Sequence, residues 1–409
     1  MPAILHTQHI VVNAVLIGVL VIVPLRDAVA STCGGKAGAL GALCRAGIDV
    51  PDGFVLPFES QRGAVGPSRD VLARALAELG DPPVAVRSSA AGEDTAEASA
   101  AGQHLSVLGV RGVEEAAVAV RACRDSLHAA RAVAYRDAIG SGHLPPEPEM
   151  AVLVQRLVDA EVSGVMFTPG DARGPTVIEA SWGLGPSVVE GTVTPDSYRI
   201  DADGAVSRRI AHKRTRLDRH GSGLVTRDVP ATHRHRAALD DATAVRLARL
   251  GQRVADVLGG ALDIEWALAD GRLWVLQARP ITAAVPSGDS ARVPPSAPGT
   301  LVGTPGSRGI AIGPARVVRG PADFAHVRPG DILVCPCTDP SWTPLLRIVA
   351  GVVTEVGGAL SHAAIVAREH GIPAVLGVRD ATAALADGAI VTLSGTDGTV
   401  TRGPERGES

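Results

Sequence analysis

The sequence predicts a mixed α/β (α+β) chain of two folded units, and three observations carry that expectation. Between residues 31 and 282, apolar runs of strand length recur among glycine-rich turns and apolar helices. Residues 301–403 hold several short β-like runs (313–318, 331–334 and 389–393) around one clear helix. Between the two, 283–300 carries four prolines, at 286, 294, 295 and 298, with no hydrophobic period. Such a linker is extended and semi-stiff and reaches roughly 55 Å. It suits either a unit that must travel or an inert spacer. Residues 1–20 read as an apolar N-terminal extension, 21–282 as the first unit and 404–409 as a tail.

The first unit opens on Gly34-Gly35-Lys36-Ala37-Gly38-Ala39-Leu40, a glycine-rich turn leading into an apolar helix that ends near Gly47. Glycines let backbone approach phosphates closely and a lysine adds a mobile point charge, although a lone Gly-Gly-Lys is more often a plain helix entry. Of the 39 basic residues only Lys36 and Lys213 are lysine, which favours a need for an ammonium at position 36. Residues 54–84 predict a single helix, 71–79, among Gly and Pro. Val84-Ala85-Val86-Arg87-Ser88-Ser89-Ala90 is a strand that delivers two hydroxyls and a guanidinium, whose planar fork suits phosphate oxygens. Gly102-Gln103 and Ser106 precede another apolar strand, and 151–158, 163–168 and 177–185 follow the same strand logic.

The unit closes on a hairpin. Asp263-Ile264-Glu265-Trp266-Ala267-Leu268 and Leu273-Trp274-Val275-Leu276-Gln277-Ala278-Arg279 flank Asp270-Gly271, a strong turn signal between two alternating arms. Register decides what this hairpin can hold. A three-residue loop puts Glu265 and Gln277 on one sheet face and a two-residue loop puts them on opposite faces. The odd loop is expected.

In the second unit, an apolar run at 348–353 reads as a strand, Gly357-Gly358 as a turn and Ser361 as the N-cap of a short helix that Gly371 ends. His362 therefore stands in the first helical turn, where free N–H groups and the positive end of the helix dipole lower an imidazole pKa and attract an anion. A neutral nucleophilic nitrogen and its phosphorylated product both suit that place. A capped helix with a merely exposed histidine is the plain alternative. Cys335-Pro336-Cys337 lacks a second cysteine pair and reads as core packing.

The stretch Thr354-Glu355-Val356-Gly357-Gly358-Ala359-Leu360-Ser361-His362-Ala363-Ala364-Ile365-Val366-Ala367-Arg368-Glu369-His370-Gly371-Ile372-Pro373 closely resembles the phosphohistidine motif of the PEP-utilising enzymes: phosphoenolpyruvate synthase, pyruvate phosphate dikinase and rifampicin phosphotransferase. The ordered series in 31–282 resembles the ATP-grasp domain that opens the same family. The resemblance implies an ATP-grasp-type nucleotide-binding domain followed by a small swivelling β/β/α phosphohistidine domain. It makes His362, Arg87 and Arg279 catalytic, with Lys36, Arg87 and Arg279 clamping the ATP phosphates. Glu265 and Gln277 become the Mg2+ ligands, Gly102 and Ser106 line the phosphate side, and the strand from Gln155 through Leu157 meets adenine with its backbone. It further implies an ATP-dependent phosphotransferase in which His362 takes a pyrophosphoryl group, AMP leaves, and a phosphohistidine remains for pyruvate or a hydroxyl-bearing small molecule. Leu360 stands where the dikinases carry a regulatory threonine, so that control is not expected.

Two departures from the family are visible. The segment 54–84 is abbreviated, and neither the linker nor the tail has room for an acceptor domain. The acceptor site is therefore expected on a separate polypeptide or an unrecognised interface. A nucleotide-binding relic without turnover is the competing reading. A net charge of −4 and 2% aromatic residues argue against a nucleic-acid partner. The apolar stretch 10–25 is short of the ~20 residues a bilayer span requires and has no basic start. A cytoplasmic protein is expected, with a membrane anchor as the lesser alternative.

Overall fold

The computed structural model describes residues 22–61, 68–91, 105–128, 149–171, 174–221, 223–281 and 299–403. The N-terminal extension, most of the linker, the tail and Gly102 lie outside the described residues. Among those described, no helix is long and apolar enough to cross a membrane.

The α/β expectation holds. Two large antiparallel sheets and a two-stranded one, Thr215–His220 with Gly223–Asp228, lie among the described residues before the linker. The first runs in the order Val23–Pro24, Gly53–Leu56, Met150–Arg156, Val84–Ala90, Ser106–Val110. The second runs Arg272–Pro280, Leu262–Ala269, Val162–Phe167, Thr176–Trp182, Asp196–Ile200, Val206–Arg209. Alternation along Met150–Arg156 explains why that strand is apolar from Met150 to Val154. Ala151 and Leu153 enter a core shared with Met166, Ile178 and Trp266 of the second sheet, whereas Val152 and Val154 pack beneath the helices Arg69–Glu78 and Gly112–Asp125. A strand covered on both faces needs no polar side. The helix Ala30–Arg45 sends Ala37, Leu40 and Leu43 into the shared core and so ties the sheets together.

Within that helix Gly34 breaks the turn at φ 80°. A Cβ there would lie 2.2 Å from the Ser89 carbonyl oxygen, so the glycine is needed for a close backbone approach to the strand Val84–Ala90 rather than to a ligand. The two hydroxyls that this strand delivers are committed to backbone. Ser89 Oγ donates to the Cys33 carbonyl at 2.7 Å and Ser88 Oγ to that of Leu105 at 3.1 Å. The second lysine is structural: Lys213 is fully buried, its Nζ 2.5 Å from Asp196 Oδ1. The segment 54–84 carries the expected helix as Arg69–Glu78, preceded by the short helix Phe58–Gln61.

After the linker, eight strands form one sheet in the order Leu301–Val302, Thr399–Arg402, Ile390–Ser394, Ile310–Val317, Ile332–Cys335, Gly351–Thr354, Ala374–Leu376, Thr304–Ser307. The four from Ile310–Val317 to Ala374–Leu376 are parallel. The helix His362–Glu369 lays Ala363, Ala364, Val366 and Ala367 against Leu333, Cys335, Val352 and Leu376. Cys335 belongs to that core, and burial pushes its thiol pKa up.

The hairpin corrects the loop expectation. Ala269 pairs with Arg272, leaving the two-residue loop Asp270-Gly271 with φ of 51° and 71°. Positive φ at both positions is what a two-residue turn requires to match strand twist, and Asp-Gly supplies it. The odd residue lies instead in the second arm: Glu265 faces Gln277 while Trp266 faces Val275, so Leu276 is a β-bulge. Glu265 and Gln277 share a face by this route. The bulge also brings Arg279 opposite Asp263.

Candidate functional site

A cavity of about 360 Å³ lies between the two antiparallel sheets and the helix His362–Glu369. Lys36, Arg87, Ser106 and Gln155 line it together with Leu157, Glu265, Gln277, Arg279 and His362. Nine of the ten residues singled out in the sequence thus meet on one wall or another, Gly102 being outside the described residues.

Arg87 is the hinge of this arrangement. Its Nη1 donates to the carbonyl of Leu276 at 2.8 Å, and its Nη2 reaches Glu265 Oε2 at 3.0 Å and Gln277 Oε1 at 2.5 Å. The bulged residue thus turns its carbonyl to a guanidinium on the other sheet. Arg87 Nε is buried with no hydrogen-bond partner, a donor left over inside the cavity wall. Arg279 is held differently: Asp263 Oδ2 accepts from its Nε at 2.9 Å and faces its Nη2 at 2.7 Å. Asp263 had no role in the sequence reading. Opposite charges directly across a hairpin are a recognisable pair, but only once the bulge has fixed the register.

The adenine edge is narrower than expected. The Leu157 N–H is donated to Pro83 O at 2.9 Å, so that group cannot serve a base. The Gln155 amide Nε2 is likewise committed, to Pro51 O at 3.0 Å.

His362 begins its helix and is only 5% exposed, and neither ring nitrogen has a hydrogen-bond partner. Burial pushes its pKa down to about 4, the positive charge of Arg279 adding to the effect and Asp339 opposing it. The neutral imidazole expected from the sequence is present, but desolvation rather than the helix dipole is the main cause. Ser361 occupies the N-cap position without capping, since its hydroxyl donates to Gly358 O at 2.9 Å. The amides just before the N-cap are occupied: Glu179 Oε1 accepts from Ala359 N at 2.6 Å and Oε2 from Leu360 N at 3.1 Å. Leu360 packs with Val165, Phe167, Val188, Val193 and Ile365 in an apolar cluster that joins the two parts of the chain.

The lowered pKa fixes the sign of a pH effect. A ring that is neutral in the cavity and ordinary outside it is drawn out by protons, so the contribution of His362 itself favours the withdrawn ring on acidification below 6.5. The pH profile of any reaction at His362 in this cavity is expected to keep its full rate down to below 6.5. An acid limb at or above 6.5 in single-turnover rates would contradict the buried, neutral ring.

Residues 68–293, more than half of the chain, match the pyruvate phosphate dikinase AMP/ATP-binding domain, and residues 327–398 match the mobile domain of PEP-utilising enzymes. The chain belongs to this PEP-utilising family. Among its relatives, a probable phosphoenolpyruvate synthase of Methanothermobacter thermautotrophicus is 39% identical over 324 residues, covering 78% of this chain and 47% of that protein. The phosphoenolpyruvate synthase of Pyrococcus furiosus is 39% identical over 336 residues, covering 78% of this chain and 41% of that protein. That of Escherichia coli is 34% identical over 351 residues, with 81% and 44% covered. The chain spans about half the length of the curated relatives it matches. In this PEP-utilising chain the AMP/ATP-binding match takes in the second antiparallel sheet and most of the first, and the histidine helix lies within the mobile-domain match.

Proposed function

We propose that this chain carries out the ATP-consuming half of a dikinase-type phosphotransfer, with residues 21–282 binding ATP and 301–403 carrying phosphate on His362. One observation supports this above the others: a neutral imidazole with both nitrogens unpaired shares a cavity with Lys36, Arg87 and Arg279. An imidazole nitrogen would attack the β-phosphorus of ATP, and the bond from that phosphorus to the α–β bridging oxygen would break. The electron pair stays on the oxygen and AMP leaves. Water then attacks the γ-phosphorus, the bond from that phosphorus to the β–γ bridging oxygen breaks with the electron pair staying on the oxygen, inorganic phosphate departs, and phosphohistidine remains. Catalysis of this kind rests on positioning and charge neutralisation, which three cationic side chains at one cavity supply.

The residues present also fit Mg2+. Glu265 Oε2 and Gln277 Oε1 converge on a single cationic atom, Arg87 Nη2, and a carboxylate and an amide are the oxygen donors a hard cation takes beside phosphate. Bound there, the ion would neutralise phosphate charge. Pyruvate or a hydroxyl-bearing small molecule would accept the phosphate at a site outside these two modules. A reaction supplied with ATP belongs in the cytoplasm.

Single-turnover quench with ATP and Mg2+ tests the proposal. The expected result is a burst of one AMP per chain with phosphate appearing at or after it. Tight nucleotide binding by calorimetry with no AMP would overturn it and leave a binding protein.

A further inference from the structure

Glu179 is a carboxylate in the middle of a buried sheet, 2% exposed, paired across the ladder with Val165 on one side and Ser197 on the other. A charge in such a place is costly unless it is hydrogen-bonded or paired. Among the described residues its carboxylate makes hydrogen bonds only to the amides of Ala359 and Leu360, 180 and 181 positions away and on the far side of the linker. Those are the peptides just before His362. The surroundings are shaped for this contact from both sides. A Cβ on Gly358 would lie 2.3 Å from Glu179 Oε2, and one on Gly191 would lie 3.0 Å from the Cβ of Ser361. The Ala359 peptide is gripped at its other end as well, by Arg368 Nη1 on its carbonyl at 2.8 Å.

We infer that Glu179 is the positioning residue that docks the carrier: its carboxylate grips the two backbone amides beside His362, sets the ring in the cavity, and lets it leave when those two bonds break. This rests on the reading that His362 works as the carrier in this cavity, but the grip itself can be measured without any phosphotransfer. Two charge-assisted bonds to backbone are strong enough to hold a loop in one place and few enough to be broken together.

The titration of Glu179 gives the grip a pH dependence. Burial pushes its pKa up to about 7, against the two amides and the charges of Arg209 and Arg368, which lower it. A carboxyl of ordinary pKa when withdrawn and raised pKa when docked takes up a proton on docking. Its contribution therefore tightens docking as pH falls from 7 toward 4.5. His362, facing Arg279 and Asp339, contributes the opposite slope below 6.5. The two offset each other in the wild type.

The test compares Glu179→Ala, Glu179→Gln and Gly358→Ala with the wild type, each shown folded by circular dichroism. His362 exposure is read as its rate of carbethoxylation by diethylpyrocarbonate, located by peptide mass spectrometry. Glu179→Ala is expected to raise that rate at least tenfold with ATP affinity, by calorimetry, within twofold. Glu179→Gln is expected to fall between, since its carbonyl still accepts one bond, and to raise the acid limb of the pH profile. Gly358→Ala keeps the carboxylate and pushes it away from the loop side, so it too should expose His362. Added to Glu179→Ala it should do little more, because the clash partner is gone. Unchanged His362 labelling in both folded single variants, or full additivity in the double variant, would overturn the inference. If wild type forms no phosphohistidine yet Glu179→Ala still exposes His362, the grip stands and the proposed function falls.

Discussion

Arg87→Ala is expected to lower the single-turnover rate of His362 phosphorylation by about 10² to 10³, the usual loss when one preorganised donor to a developing phosphate charge is removed. Three features of the structure set that size. The guanidinium bridges the two sheets through the Leu276 carbonyl, so its loss frees the hairpin from the strand Val84–Ala90. It holds Glu265 Oε2 and Gln277 Oε1 at one point, so the proposed Mg2+ ligands lose their common anchor. Its unpartnered Nε is a donor the cavity would offer to phosphate. Arg87→Lys keeps the charge and not the fork, and should recover only a small part of the rate. Quench-flow with ATP labelled at the β-phosphate measures both variants, and a loss under tenfold for Arg87→Ala would remove Arg87 from the phosphate clamp.

Leu360→Asp is expected to undock the carrier. Leu360 is 1% exposed in the cluster with Val165, Phe167, Val188 and Val193, and an aspartate there would have to lose its hydration against four apolar side chains. The cost of an uncompensated buried charge is at least about 3 kcal/mol, or about a hundredfold in a docking equilibrium. The carrier can escape that cost by withdrawing, so its own fold is spared. Phosphorylation of His362 should fall about a hundredfold while ATP affinity stays within twofold. Normal phosphorylation in Leu360→Asp would show that the docked arrangement is not the reactive one. This position is where the sequence resemblance puts a regulatory threonine, and here it carries an apolar contact between the two parts of the chain.

Much of this was legible in the sequence because the signals were local. Strands such as Val84–Ala90 and Met150–Arg156 open on short apolar runs, and the hairpin announced itself through Asp-Gly and the alternation of its arms. His362 at the head of a helix followed from Ser361 and Gly371 as flanking signals. Signals that depend on tertiary approach were hidden. Leu276 became a bulge because the tight turn fixed an even loop while Arg87 claimed the spare carbonyl, and no single-strand pattern encodes that. Glu179 looked like one polar residue in an apolar strand; only the loop arriving from the far side of the linker explains it. Gly34 carries the pattern of either a phosphate turn or a plain helix entry, yet it serves the close passage of Ser89. The Leu157 N–H was lost to Pro83 for the same kind of reason, a backbone neighbour that sequence spacing does not reveal.

One measurement bears on the whole account most directly. Wild-type chain and His362→Ala are incubated with Mg2+ and ATP labelled at the β-phosphate, and protein-bound label is counted before and after acid. Wild type is predicted to take up close to one acid-labile label per chain and His362→Ala none. Label retained by His362→Ala, or label that survives acid in the wild type, would contradict a phosphate carried on this imidazole.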